Sequence, residues 1–328
     1  MSKLLVITHQ QVEQLLPMSE CIELMEQTLA SLSLGEVHQP LRTIIRPKES
    51  AGLMVLMPAY RSTEPVYALK AICVFPGNAR IGKDAHQGGV LLFSGESGEL
   101  LALVNASAIT AIRTAAVSAV ATRKLAREGA SELAIVGAGV QARSHLQAIS
   151  CVRGIRRARI ASRTAAHSHE FVREVSPLYE FSVEAALSVR DAIKGADIIV
   201  TATTANEPIL QHEWISAGAH INAVGTYSTA AREIDSATMK AASLFVDRRE
   251  STLNEAGDYL LAAAEGVIGP DHIKGELGEV LIGTKTGRES EDEVTLFKSL
   301  GLAVEDLAAA EYVFHQAKKK DVGTRAEF

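Results

Sequence analysis

The sequence predicts an α/β protein organised round a doubly wound parallel sheet, and three observations point there. From residue 132 onward, unbroken apolar runs alternate with helical stretches: Leu133 to Val136, Ala158 to Ser162, Asp197 to Ala202, His220 to Val224 and Leu244 to Val246. Strands apolar on both faces, separated by helices, belong to a parallel sheet covered on both sides. A glycine-rich turn, Gly137-Ala138-Gly139, follows the first of these runs. The chain has 328 residues, 47% of them hydrophobic and 22% charged, enough for two domains with their own cores.

The first half has a different rhythm and predicts a mixed α+β domain. Ile22, Met25, Leu29 and Leu32 recur at helical spacing, so Ser19 to Leu34 reads as an amphipathic helix that Gly35 can end. Strand-like runs follow at Leu41 to Ile45, Leu53 to Met57, Ala68 to Phe75, Gly89 to Phe93 and Leu100 to Asn105. Pro and Gly fill the turns between them. The Ala-rich stretch Ile109 to Leu125 reads as a helix, as does Leu302 to Lys319, with a polar tail beyond. The pattern does not decide which domain that last helix completes.

Composition excludes several classes. With 33 basic and 39 acidic residues the net charge is −6, and no basic face for nucleic acid is indicated. Cys21, Cys73 and Cys151 are scattered and form no C-x-x-C pair, which argues against a disulfide framework or a zinc site. The histidines, including His86, His145, His167, His169, His212, His220 and His272, show no metal-ligand spacing, so no metal is expected. No apolar run is long enough to span a membrane, and the first residues lack the pattern of a secretion signal, so a cytoplasmic location is expected.

The motif with the clearest chemistry is Gly137-Ala138-Gly139-Val140-Gln141-Ala142, a G-x-G-x-x-A turn between an apolar strand and a helix. This is the dinucleotide-binding pattern of a Rossmann-type domain. Gly137 allows the tight turn, Gly139 lets backbone approach a pyrophosphate, and Ala142 lets helix and strand pack closely. The helix start offers N–H groups to phosphate. The second strand ends Ile160-Ala161-Ser162-Arg163-Thr164, without the acid that usually holds the ribose of NAD. Arg163 could pair with a 2′-phosphate and Ser162 or Thr164 could donate to it, which favours NADPH, with NADH possible. Thr203 and Val224-Gly225 close two further strands and should line the same cleft.

An ordered series of motifs spans the chain. It runs Pro40-Leu41-Arg42, Met57-Pro58-Ala59-Tyr60, Leu69-Lys70-Ala71, Phe75-Pro76-Gly77-Asn78, His86-Gln87-Gly88 and Ile109-Thr110-Ala111-Ile112-Arg113-Thr114-Ala115-Ala116. With Val136 to Gly139 and Thr295 to Gly301, this resembles the ornithine cyclodeaminase/mu-crystallin family. The resemblance implies a homodimer. It implies a substrate-binding and dimerisation domain from residues 1–119 with 303–328, and a Rossmann domain from residues 120–302. It assigns Arg42, Lys70 and Arg113 to the substrate, with His86 and Gln87 near the nicotinamide. It places Thr114 on a cofactor phosphate and Ser299 on the carboxamide. Two guanidinium groups suit an α-carboxylate, and a lysine ammonium can orient it or move a proton near the substrate nitrogen.

One departure redirects the function. Cyclodeaminases and alanine dehydrogenases of the family carry Asp two places after the glycine at position 225, where this chain has Tyr227. Tyrosine, with a reference pKa of about 10, is no carboxylate base at neutral pH. Glu233 and Asp235 follow closely and are expected to be structural. A reductase asks less of that position, because a cyclic ketimine already has its C=N bond. The expectation is therefore NAD(P)H-dependent reduction of Δ1-pyrroline-2-carboxylate or Δ1-piperideine-2-carboxylate to L-proline or L-pipecolate. The rivals are an ornithine cyclodeaminase, an alanine or other amino-acid dehydrogenase, and an NADPH-dependent binding protein like the mu-crystallins.

Overall fold

The computed structural model describes residues 3–226 and 228–328, without the side chains of residues 79 and 80. The chain forms two compact units. One is Met1–Arg113 with Gly301–Phe328, and the other is Thr114–Leu300. The sequence-based borders, 119/120 and 302/303, lie a few residues away. The helix Ala106–Leu125 has no break in its pattern where one unit gives way to the other.

The first unit is built on a sheet of eight strands. Four long antiparallel strands form its centre: Leu53–Arg61, Val66–Val74, His86–Ser94 and Leu100–Asn105. Along Val66–Val74 the buried residues alternate strictly: Val66, Ala68, Lys70, Ile72 and Val74. Period-2 burial means that one face of the sheet packs on the core. The core side is covered by Met18–Ser33 and by Ala303–Lys320, which contact the sheet or each other. Gly35, at φ +77°, reverses the chain after the first of these helices. The long C-terminal helix thus completes the first unit.

Several elements escape the periodic reading. Lys3–Ile7 is a strand paired in parallel with Leu100–Asn105 and antiparallel with Thr324–Glu327 in the tail read as plain polar. It is only five residues long and opens the chain, so it offers too short a pattern to read. Leu41 to Ile45 shortens to Thr43–Ile45, because it only pairs at the rim with Leu53–Arg61.

The second unit holds an all-parallel eight-stranded sheet. Its strand order is Ser182–Ala185, Arg157–Ala161, Glu132–Val136, Ile198–Thr201, His220–Ala223, Thr295–Lys298, Ser243–Val246 and Ile273–Glu276. Both faces are covered, and the four inner strands from Glu132 to Lys298 are almost wholly buried. The edge strands Ser182–Ala185 and Ile273–Glu276 contain polar residues, which is why the apolar runs did not reveal them. Thr295–Lys298 enters the sheet between two strands that precede it in sequence.

Two histidines lie fully buried in this unit. His145 meets the Gln141 carbonyl at 2.7 Å and Ser118 Oγ at 2.9 Å. His220 Nδ1 meets Thr295 Oγ1 at 2.9 Å. Burial pushes their pKa values down to about 4 and about 3. Both imidazoles therefore stay neutral in the folded protein after those of the unfolded chain, with pKa near 6.5, have begun to charge. The folded state gains no protons as the unfolded state does, so stability is full above about pH 6.5 and falls as the pH drops towards 4. Each histidine contributes a slope of about 1.4 kcal/mol per pH unit in that window. Urea unfolding at pH 7.5 and pH 5 is expected to show the loss, and His145→Gln to remove its share of the slope.

Candidate active site

The first unit carries a charged cluster where its sheet meets the C-terminal helix. Lys70 occupies an inward position of Val66–Val74, between Ala68 and Ile72, and is only 2% exposed. Its register partners are Met57 and Val90. A lysine takes a core position only with a partner for its charge. That partner is Asp306, in the first turn of Ala303–Lys320, whose Oδ1 accepts from Lys70 Nζ at 3.1 Å.

The same oxygen accepts from Arg113 Nε at 3.1 Å, and Glu305 Oε2 accepts from Arg113 Nη1 at 2.8 Å. Arg113 comes from the helix Ala106–Leu125 and is equally buried. Arg42 Nη2 donates to the Gly301 carbonyl at 3.0 Å. Gly301 itself, at φ +76°, lies against Arg113: a Cβ there would fall 2.3 Å from Nη1. Arg42, Lys70 and Arg113 therefore converge on the segment from Gly301 to Asp306.

Burial lowers the Lys70 pKa, Asp306 raises it again, and the balance rests at about 8. His86, register partner of Val74 and half-buried, is also pushed down, first by burial and then by the charges of Lys70 and Arg113. Gly88, at φ +150°, lets this strand close on its neighbour: a Cβ would sit 2.1 Å from the Ala71 carbonyl oxygen.

The second unit carries the glycine turn. Gly137 has φ +127°, and a Cβ would meet the Ala202 carbonyl oxygen at 2.4 Å, so only glycine fits. Gly139 is the N-cap of Val140–Val152, and a Cβ there would meet nothing within 4 Å. Ala142 is buried among Leu133, Ile135 and Leu146. Val140 is 62% exposed at the helix mouth, beside Gln141. A helix of 13 residues whose N-cap is a glycine with open space beside it suits a pyrophosphate, so the residues present fit a dinucleotide. Arg163 and Thr164 are exposed beyond the second strand, and Ser162 Oγ donates to the Thr164 carbonyl at 2.8 Å. Thr114, half-buried, opens this unit.

A buried polar network holds the other strand ends. Glu233 accepts from Thr201 Oγ1, from the backbone N–H and hydroxyl of Thr203, and from Gly225 N, all between 2.7 and 2.9 Å. Asp258 accepts from the N–H groups of Glu233 and Ile234 and from Thr226 Oγ1. Lys298 pairs with Asp258 at 2.8 Å and donates to the Thr226 carbonyl at 2.8 Å. Burial pushes the Asp258 carboxyl up, but Lys298 and these hydrogen bonds outweigh it and leave it low. Val224 follows one of these strands. Asp235 caps Ser236–Ala241 through Thr238 N. Ser299 and Leu300 N lie on Asp247. Tyr227 lies outside the described residues. Among the described residues, no group of three His, Cys, Asp or Glu could hold a metal ion.

Sequence reasoning missed Glu305, Asp306, Asp258 and Lys298. A buried ion pair leaves no periodic mark, although a lysine on the inward side of Val66–Val74 is a signal that an acid must face it.

A parallel sheet with a strand–glycine turn–helix at its centre places this chain among the Rossmann-type α/β proteins. The chain belongs to the ornithine cyclodeaminase/mu-crystallin family, whose sequence profile matches residues 2–321. It is 41% identical over 293 residues to the ketimine reductase mu-crystallin of Mus musculus, covering 88% of this chain and 90% of that protein. The Δ1-pyrroline-2-carboxylate reductase of Thermococcus litoralis, solved with NADH and L-proline, superposes with a TM-score of 0.96 at 39% identity, covering 98% of this chain and 100% of that one. An archaeal alanine dehydrogenase dimer with bound NAD gives 0.94 at 30% identity, covering 99% of each chain.

Gly137→Ala combines a strained φ with a backbone clash. It is expected to cost about 1–3 kcal/mol, read as a lower urea midpoint, whereas Gly139→Ala is expected to leave stability nearly unchanged.

Proposed function

We propose that this chain is an NAD(P)H-dependent reductase of cyclic ketimines, converting Δ1-pyrroline-2-carboxylate or Δ1-piperideine-2-carboxylate to L-proline or L-pipecolate. The observation that carries this reading is the convergence of buried Lys70 and Arg113 with the half-buried Arg42 on one segment. The names of the mouse and Thermococcus litoralis relatives support it. When bound, the reduced nicotinamide supplies a hydride to the imine carbon.

The chain's own residues do the rest. Arg42 and Arg113 grip the α-carboxylate, for which a planar guanidinium fork is the natural partner. An ammonium has three donors, so Lys70 can serve the imine nitrogen as well as Asp306. With a pKa near 8, Lys70 is charged at neutral pH yet able to yield its proton. A donor at the nitrogen makes the adjacent carbon electrophilic, and the held carboxylate fixes which carbon is presented. Tyr227 supplies no carboxylate base, which favours reduction of a ready-made C=N bond over deamination.

The Gly137–Val140 turn and the helix it opens hold the pyrophosphate, with Thr114, Thr203, Val224, Gly225 and Ser299 as further cofactor contacts. Ser162, Arg163 and Thr164 favour the 2′-phosphate of NADPH. The first unit's outer sheet face carries exposed apolar residues, with Ile45, Met54 and Tyr67 on it. A second copy of the chain covers it, giving a homodimer like the archaeal dimer above.

Purified protein with NADPH and each cyclic imine is expected to consume cofactor at 340 nm, and no turnover with either imine removes this reading. Arg113→Lys is expected to lower kcat/KM at least about 10-fold, because an ammonium cannot reproduce the fork. Arg163→Asp is expected to cut the NADPH-over-NADH preference by about 10-fold or more, since a carboxylate repels the 2′-phosphate, as read from kcat/KM with each cofactor.

A further inference from the structure

We propose that Asp306 is the positioning residue of this site: it aims Lys70 and Arg113 together and keeps Lys70 in its ammonium form. The inference rests on the ketimine-reductase reading, because it gives Lys70 a proton to deliver.

The geometry assigns this role to one oxygen. Asp306 Oδ1 takes Lys70 Nζ at 3.1 Å and Arg113 Nε at 3.1 Å, so a single atom fixes the spacing of two cations from different elements. Its other oxygen, Oδ2, is buried without a hydrogen-bond partner. Burying a carboxylate with two cations carries a desolvation cost that their attraction need not repay, so stability alone explains it poorly. The arrangement makes sense if the charge itself is what the site requires.

The surroundings explain why. The groups facing Lys70 are Arg113 from Ala106–Leu125, Arg42 from the segment before Thr43–Ile45, Asp306 from Ala303–Lys320, and His86 from the neighbouring strand. Burial disfavours a proton on Lys70, Arg113 and Arg42 repel it further, and burial, Lys70 and Arg113 in turn push the His86 pKa down. Glu305 is engaged by Arg113 at 2.8 Å. Asp306 is the acid in direct contact with Lys70 that offsets these effects. Were its charge removed, Lys70 would lose its proton at a lower pH and could no longer donate to the imine nitrogen in the neutral range.

The test is the pH profile of kcat/KM for imine reduction, which reports the free enzyme. The imine's own ionisation is common to all variants and cancels in the comparison. Wild-type protein is expected to lose activity as the pH rises through about 8, and Lys70→Arg, which cannot deprotonate, to lack that limb. Asp306→Asn is expected to move the limb down by about one unit or more, while Asp306→Glu, which restores the charge, keeps it near the wild-type position even if kcat falls. Asp306→Ser, smaller and neutral, is expected to shift the limb as Asn does and serves if the Asn protein is insoluble. A limb that stays in place in the neutral variants, with cofactor binding and folding intact, overturns the proposal. Absence of imine turnover in the wild-type protein instead overturns the reductase reading.

Discussion

Two cations held on one carboxylate organise the first unit. Lys70 and Arg113 reach Asp306 from a strand and a helix that are far apart in sequence, and Asp306 is the acid that Lys70 pairs with, whereas Arg113 also pairs with Glu305. Breaking a buried pair by removing one partner costs about 3–5 kcal/mol, far more than a surface pair contributes. The placement of Ala303–Lys320 is therefore fixed by charge as well as by its apolar contacts. The strand that carries Lys70 must keep its register, because a shift by one residue would turn the lysine to the opposite face.

The second unit solves a similar problem differently. Its strand ends carry backbone groups and hydroxyls that would be left without partners under the sheet, and Glu233 collects those of Thr201, Thr203 and Gly225. Asp258 and Lys298 then tie that acid's own backbone to the Thr226 carbonyl. Such networks hold their geometry tightly when every member is satisfied. Thr203, Gly225 and Thr226, which follow Ile198–Thr201 and His220–Ala223, are thus tied down where a doubly wound sheet presents its ligand-facing edge.

The parts of this architecture that repeat were legible in the sequence. Most of the parallel strands and the glycine turn follow from apolar runs and from backbone angles that glycine alone tolerates, but the inner strand Thr295–Lys298, with a threonine and a lysine among its four residues, was not among those read. Leu100–Asn105 matched its expected span, and the Ala-rich helix differed only at its start, Ala106 rather than Ile109. What escaped was set by tertiary contact. Lys3–Ile7 is a strand because it pairs with Leu100–Asn105 and with Thr324–Glu327, and Thr324–Glu327 because it pairs with Lys3–Ile7. Glu305 and Asp306 read as ordinary acids in a helix's first turn, where they also suit the helix dipole. Only their neighbours from distant elements show that they are buried.

The order of the polypeptide gives the split first unit a consequence for synthesis. Arg113 leaves the ribosome 193 residues before Asp306. Until the last helix emerges, Lys70 and Arg113 lack the acids that pair with them in the folded protein. The parallel unit in between is complete by Leu300 and is free to fold first. A chain cut short before the final helix would keep both cations and lose the two acids that they pair with.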